Sequence, residues 1–238
     1  MNAIETKQLT KCFGAVTAVD ALDLTVREGE LFGLLGVNGA GKTTTIKMLS
    51  GLLKPTDGTA RVLGYDLDTE LSKIKPYVAV SPQETAIAPN LTARENLELI
   101  AGIYGSDRGR VQTMLDGLGL KKAEKFKAKS LSGGWQRRLS IAMALVSDPK
   151  LLFLDEPTLG LDVLARRELW KVIEGLKGKV TVILTTHYLE EAQALSDRVG
   201  VMNDGRLKIT GTPQELLDAA GTDDFEEAFI RLAGGETA

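Results

Sequence analysis

The sequence predicts an α/β fold: a parallel sheet carrying a phosphate-binding loop, an antiparallel β section at the N-terminus and an inserted helical section. Four observations lead there. Gly36-Val37-Asn38-Gly39-Ala40-Gly41-Lys42-Thr43 fits the G-x-x-x-x-G-K-[ST] pattern without mismatch. It lies between apolar Leu31-Phe32-Gly33-Leu34-Leu35 and Thr44-Thr45-Ile46-Lys47-Met48-Leu49, the strand–turn–helix context that this pattern requires. The continuous apolar run Leu151–Leu154 and the β-branched, apolar stretch Val180–Leu184 suit strands buried on both faces. The stretch from 85 to 145 is helical in pattern and interrupts the α/β alternation.

Taken in order, residues 4–10 and 21–27 read as short strands around a turn near Gly14, with alternation clearest over Ala21–Val26. Phe13, beside that turn, reads on sequence alone as a possible core aromatic. The helix begun at Lys42 ends near Ser50-Gly51, since Pro55 forbids a longer one. Thr59–Leu63 is a strand stopped by Gly64, residues 67–75 suggest a short helix, and Tyr77–Val80 is a strand that places Gln83 at its exit. Thr92-Ala93-Arg94-Glu95 is a capping box, and a second helix spans 107–118. Lys121, Lys122, Lys125, Lys127 and Lys129 make a basic stretch, read first as solvated surface and second as a docking segment. A helix starts near Asp162, Asn203-Asp204-Gly205-Arg206 signals a hairpin, and Thr212-Pro213-Gln214-Glu215 opens another helix. The acidic, then polar, residues after Gly221 are expected to pack loosely.

The glycine loop lets backbone N–H groups turn inward around phosphate oxygens, and the following helix N-terminus adds its own N–H groups. Lys42 should reach the β- and γ-phosphates, the Thr43 hydroxyl should ligate Mg²⁺, and Thr44 is placed to donate to another phosphate. Asp155 leaves its apolar strand at the end where open α/β sheets bind ligands, so it is the candidate Mg²⁺ carboxylate. Glu156 beside it is placed to polarise an attacking water; the alternative is an ordinary strand exit before a proline turn. Leu131-Ser132-Gly133-Gly134-Trp135-Gln136 begins a helix capped by Ser132 and forms a second anion-binding start. One nucleotide does not need two such sites, which points to a dimer closing this stretch over the partner's ATP. His187, the only histidine, exits the second apolar strand on the same side; a structural role is the alternative.

Bulk properties narrow the class. The chain has 238 residues, 43% of them hydrophobic and 26% charged, in keeping with one large soluble domain or two joined lobes. A net charge of -3 offers no general nucleic-acid surface. No apolar run reaches the length of a membrane span, and no signal-peptide core is evident, so membrane association is expected only through a partner. The single cysteine, Cys12, reads as a structural thiol.

Together the phosphate loop, Gln83, the Leu-Ser-Gly-Gly stretch, Asp155-Glu156 and His187 resemble the nucleotide-binding subunit of an ABC transporter, over residues 4 to 218 or so. The resemblance implies an α/β P-loop nucleotidase core (1–84 and 146–220), a helical subdomain (85–145) and a short tail (221–238). It implies a head-to-tail dimer holding two ATP–Mg²⁺, and an integral membrane permease as partner at the cytoplasmic face of the cell membrane. Phe13 matches the aromatic that stacks on adenine. Asn38, Gly39, Ala40, Gly41, Lys42, Thr43 and Thr44 match the phosphate loop. Ser132, Gly133 and Gly134 match the signature that meets the opposite γ-phosphate, and Asp162 the aspartate of the loop between the two sites. Gln83 matches the residue that senses Mg²⁺ and water, Glu156 the general base and His187 the switch histidine.

Two positions depart from the common family pattern. Trp135 stands where the signature most often has glutamine, and it is expected to affect coupling rather than abolish ATP use. Leu159-Gly160-Leu161-Asp162-Val163 replaces the common Ser-Ala-Leu-Asp while keeping the aspartate. Arg137-Arg138-Leu139-Ser140 and Thr158-Leu159-Gly160-Leu161-Asp162 resemble the exporter branch linked to drugs, antibiotics, sodium, polysaccharide or haem-related cargo, so the expected function is ATP hydrolysis coupled to export. A soluble ABC-type ATPase of translation or DNA maintenance is the second reading.

Overall fold

A computed structural model describes residues 1–234. Strand β1 (Asn2–Phe13) returns through Gly14-Ala15 as β2 (Val16–Leu22), followed by β3 (Thr25–Arg27). The expected single strand over 21–27 is therefore split. The Thr6 hydroxyl causes this: it donates to Leu22 O at 2.7 Å and accepts from Leu24 N–H at 2.8 Å, taking the place of a ladder bond. The alternation survives the break, with Leu22, Leu24 and Val26 buried and their neighbours exposed.

Strand β4 (Leu31–Leu35) leads through the glycine loop into α1 (Lys42–Leu49), which ends at Ser50-Gly51 as expected. Strand β5 (Asp57–Val62) starts two residues before the sequence reading, because Asp57 pairs with Thr10 at the far end of β1. After β6 (Tyr65–Asp66), the helix expected over 67–75 shrinks to α2 (Leu71–Ile74) and a 3₁₀ turn at Lys75–Tyr77. Asp66 is the reason: its Oδ1 accepts from the N–H groups of Asp68 and Thr69, holding a turn where helix would begin.

Strand β7 (Val78–Ser81) is followed by α3 (Ala93–Tyr104), α4 (Arg108–Gly117) and α5 (Gly133–Leu145). Both halves of the Thr92/Glu95 capping box form, and Asp107 caps α4. The remaining elements are β8 (Leu151–Asp155), α6 (Val163–Glu174), β9 (Thr181–Thr186), α7 (Leu189–Leu195), β10 (Arg198–Asn203), β11 (Arg206–Gly211), α8 (Pro213–Ala220) and α9 (Phe225–Leu232).

Two sheets result. The N-terminal one is antiparallel, in the order β2-β1-β5-β6 with β3 also on β1. The other runs β11-β10-β4-β9-β8-β7, parallel throughout except at the β10–β11 hairpin. Helix α1 lies between them, its Ile46, Met48 and Leu49 in one apolar cluster with Phe32, Phe153 and the inner faces of β1 and β5. Helices α3 to α5 share a second cluster with α6 and the opposite face of β8 and β9. Helix α9 corrects the loose tail. Asp224 caps it, Phe225 and Ala228 are buried, and it joins α7, α8 and β10 in a third cluster. Residues 235–238 of that tail lie outside the described residues.

Candidate functional site

Strands β4, β9 and β8 are neighbours, so their carboxyl ends meet: Leu35 stands opposite Thr186, and Asp155 opposite Thr185. The glycine loop rises from the first of these ends. Its course depends on two glycines. A Cβ on Gly36 would lie 2.4 Å from Met202 O, and one on Gly41, which has φ +102°, would lie 2.4 Å from Ala18 O. The loop thus sits directly on β10 and β2. Asn38 and Gly39 are exposed at its crest, Ala40 is buried beneath it, and Thr43 and Thr44 are half-buried.

Lys42 folds back into the loop. Its Nζ donates to Gly36 O at 2.7 Å and Val37 O at 3.1 Å, and lies 3.3 Å from Glu156 Oε1. Glu156 Oε2 is 2.9 Å from His187 Nδ1, so one carboxylate joins the lysine to the histidine. Beside this group the Thr43 hydroxyl donates to Asp155 Oδ1 at 3.0 Å. The Thr185 hydroxyl donates to the same oxygen at 2.6 Å.

Glu156 holds a backbone conformation that non-glycine residues rarely adopt, φ +45°. That conformation costs about 1–2 kcal/mol and persists only where neighbours fix it. Its N–H is shared between Thr185 O and Thr185 Oγ1, both at 3.1 Å. Its carbonyl accepts from Arg137 Nη2 at 2.8 Å. The turn aims the carboxylate back over the loop instead of along the strand.

The oxygen donors suit Mg²⁺, a hard cation usually held by a hydroxyl, one carboxylate and substrate phosphates. Thr43 Oγ1 and Asp155 Oδ1 are such a pair. Among the described residues no cluster of three or more His, Cys, Asp or Glu side chains forms, so a cation here would complete its shell from phosphate and water.

The other expected residues fall in four places. Phe13 is 51% exposed, with Lys11 Nζ 5.2 Å from its ring centre, so the core-aromatic alternative does not hold. Gln83 is exposed in the loop just past β7. Ser132 is the N-cap of α5 by backbone conformation, but its hydroxyl makes no cap hydrogen bond; Gly133 is exposed. Asp162 caps α6, accepting from Leu164 and Ala165 N–H. None of these joins the hydrogen-bonded group of Lys42, Thr43, Asp155, Glu156 and His187 among the described residues. Trp135 is half-buried on the helical cluster, with the Arg138 guanidinium 5.3 Å from its ring centre.

Three polar residues were not anticipated. Thr185 orients both acids. Arg137 is buried under the 156–157 turn, and burial pulls its guanidinium below the ordinary arginine range while Asp155, Glu191 and Glu156 hold it up. Glu191 is fully buried on α7, where burial pushes its carboxyl up and Trp170 Nε1 donates to it at 3.0 Å. A signal for Arg137 exists: it shares a helix face with Ile141 and Leu145, where a solvated arginine does not belong.

The family model described as ABC transporter matches residues 19–159, from β2 through the glycine loop to the turn after Glu156. The chain belongs to the ABC transporter family. Over 97% of its length this ABC protein is 43% identical to the probable multidrug ABC transporter ATP-binding protein YbhF of Escherichia coli, of which it spans 42%. It is 43% identical to the daunorubicin/doxorubicin resistance ATP-binding protein DrrA of Streptomyces peucetius, covering 93% of this chain and 68% of that protein. Among solved structures it is similar to an ATP-binding subunit of an ABC transporter, with TM-score 0.85, 29% identity and coverage of 97% and 99% of the two chains. It is also similar to a dimeric post-hydrolysis state of the ATP-binding cassette MJ0796 bound to ADP and Pi, with TM-score 0.77, 29% identity and coverage of 88% and 98%. The fold is that of ABC ATPase cassettes. Among the described residues no helix is long and apolar enough to cross a membrane.

Proposed function

We propose that this chain binds ATP with Mg²⁺, hydrolyses it to ADP and phosphate, and thereby drives export through a separate membrane permease. The observation that carries this reading is the Glu156 carboxylate held between Lys42 and His187, beside the Thr43–Asp155 pair. On this reading Lys42 and the loop N–H groups receive the β- and γ-phosphates, with Thr44 donating alongside. Thr43 and Asp155 hold Mg²⁺, which neutralises charge on the phosphates when bound. Glu156 takes the proton from the attacking water, and His187 fixes the other side of the carboxylate and meets the γ-phosphate. Gln83 senses metal and water, and Phe13 offers its exposed ring to adenine.

A second copy completes the site. The uncommitted Ser132 hydroxyl and the exposed Gly133 N-terminus of α5 support contact with the partner's γ-phosphate, joined by Gly134, with Asp162 between the two sites. The cassette spans 1–220, and its helical part (85–145) carries this signature toward the opposite nucleotide. The relatives named for multidrug transport and for daunorubicin/doxorubicin resistance support a drug or antibiotic as cargo, and on this reading the chain works at the cytoplasmic face of the membrane.

The test is Mg²⁺-dependent ATP hydrolysis by the purified chain and its Glu156→Gln variant. Loss of a general base lowers kcat on the order of 10²- to 10⁴-fold. A variant at the parent's rate removes the base from Glu156. Co-purification from solubilised membranes tests the transport half: one stoichiometric multi-span partner supports it, and ribosomal or DNA-maintenance proteins alone overturn it.

A further inference from the structure

We propose that Arg137 is a positioning residue: it holds the Glu156 peptide in its left-handed turn and ties that turn to the Gln83 loop and to the start of α5. The inference rests on the reading of Glu156 as the base. Arg137 is 4% exposed, and among the described residues no carboxylate pairs with it. Instead it donates to three main-chain carbonyls from two separate segments. Nη1 reaches Pro82 O at 2.5 Å, Nε reaches Pro157 O at 2.7 Å, and Nη2 reaches Glu156 O at 2.8 Å. A buried cation is costly unless hydrogen-bonded, and a guanidinium supplies the fixed fork that three carbonyls at these angles require.

The consequence is geometric. Thr185 holds the N–H of Glu156 and Arg137 holds its carbonyl, so both peptides flanking the strained residue are clamped. With both fixed, the Cα–Cβ direction is fixed, and the carboxylate points at Lys42 and His187. The same fork grips Pro82, the residue before Gln83. One turn further along α5, Ser140 Oγ lies 3.0 Å from Ser81 Oγ, a second buried attachment to the end of β7.

Gly133 and Arg137 are four residues apart on one helix, one above the other. A shift of the signature helix, or of the Gln83 loop, therefore moves the groups that clamp the base. Movement of the Gln83 loop thus reaches the Glu156 turn through Arg137, which donates to carbonyls of both segments.

The experiment measures kcat and KM for Mg²⁺-ATP with the full chain, its Arg137→Ala and Arg137→Lys variants, and Glu156→Gln as control. Arg137→Ala leaves Lys42 and Thr43 in place, so KM is expected to stay within about threefold while kcat falls on the order of 10²-fold through misaiming. Guanidinium chloride at about 30 mM, but not sodium chloride at equal strength, is expected to restore about fivefold or more by refilling the three-carbonyl pocket. Arg137→Lys keeps the charge but not the fork; kcat about tenfold or more below the parent at unchanged KM is expected.

A kcat within about threefold of the parent in either variant overturns the proposal, as does a loss with KM rising in step and no guanidinium rescue. If Arg137→Ala does not fold, the lysine variant decides by the same criterion. The control separates the two failures. Glu156→Gln at the parent's rate removes the base assignment itself; an inactive Glu156→Gln with a parental Arg137 variant removes only the positioning role.

Discussion

Replacing Thr185 by valine deletes one hydroxyl at nearly constant shape. That hydroxyl is fully buried and donates to the Asp155 carboxylate at 2.6 Å, a short bond to a charged acceptor. Such bonds contribute about 1.5–3 kcal/mol. The backbone does not add to the loss, because the Glu156 N–H keeps Thr185 O at 3.1 Å when Thr185 Oγ1 goes. Asp155 Oδ1 keeps its contact with Thr43. For a chain of this size about 2–4 °C accompanies each kcal/mol, so the melting temperature should fall by about 3–12 °C. Partners one step behind a metal ligand change metal affinity by about 10- to 100-fold, and the Mg²⁺ concentration for half-maximal hydrolysis should rise by that factor. The assay is a Mg²⁺ titration of ATP hydrolysis at saturating ATP, with a thermal melt alongside. A variant with parental Mg²⁺ dependence and an unmoved melt would refute the assignment of Asp155 as a ligand oriented by Thr185.

Two further outcomes follow from buried groups. Burial raises the Glu191 carboxyl above its ordinary value of 4.5, with Trp170, Thr158, Thr186 and Arg166 facing it, so the folded protein binds more protons than the unfolded chain between those two values. Stability from this group is therefore complete below the ordinary value and declines as pH rises through the folded one. Glu191→Gln has no such decline, and its melting temperature relative to the parent should increase from about pH 5 to pH 8; a flat difference refutes it. Phe225→Ala empties a side chain that is 7% exposed in the cluster of α7, α8 and α9. Urea unfolding should show a loss of about 3–5 kcal/mol, and a loss below about 1 kcal/mol would mean that α9 does not contribute to the fold.

Local signals were readable from the chain, while contacts between distant strands were not. The loop at 36–43, the capping boxes at Thr92 and Thr212 and the hairpin at Asp204-Gly205 are local, and each formed where the residues demand it. The pairing of Glu156 with His187 and of Thr43 with Asp155 depends on β4, β9 and β8 being adjacent, an order that no local spacing encodes. Thr185 was hidden for a related reason: a threonine in an apolar strand looks the same whether its hydroxyl meets a carbonyl or a catalytic acid. Helix α9 is legible in the chain. Phe225, Ala228, Phe229 and Leu232 follow helical spacing behind an Asp224 cap, beneath a run of acids that suggests solvent. The split between β2 and β3 comes from a hydroxyl of β1, which sequence alternation cannot register.

Sedimentation velocity of the Glu156→Gln protein in Mg²⁺-ATP, compared with Mg²⁺-ADP, reads out together the base at Glu156 and the completion of its site by a second copy. A stable dimer with ATP that returns to monomer with ADP is the expected result. A monomer that holds ATP at saturation without associating would contradict it.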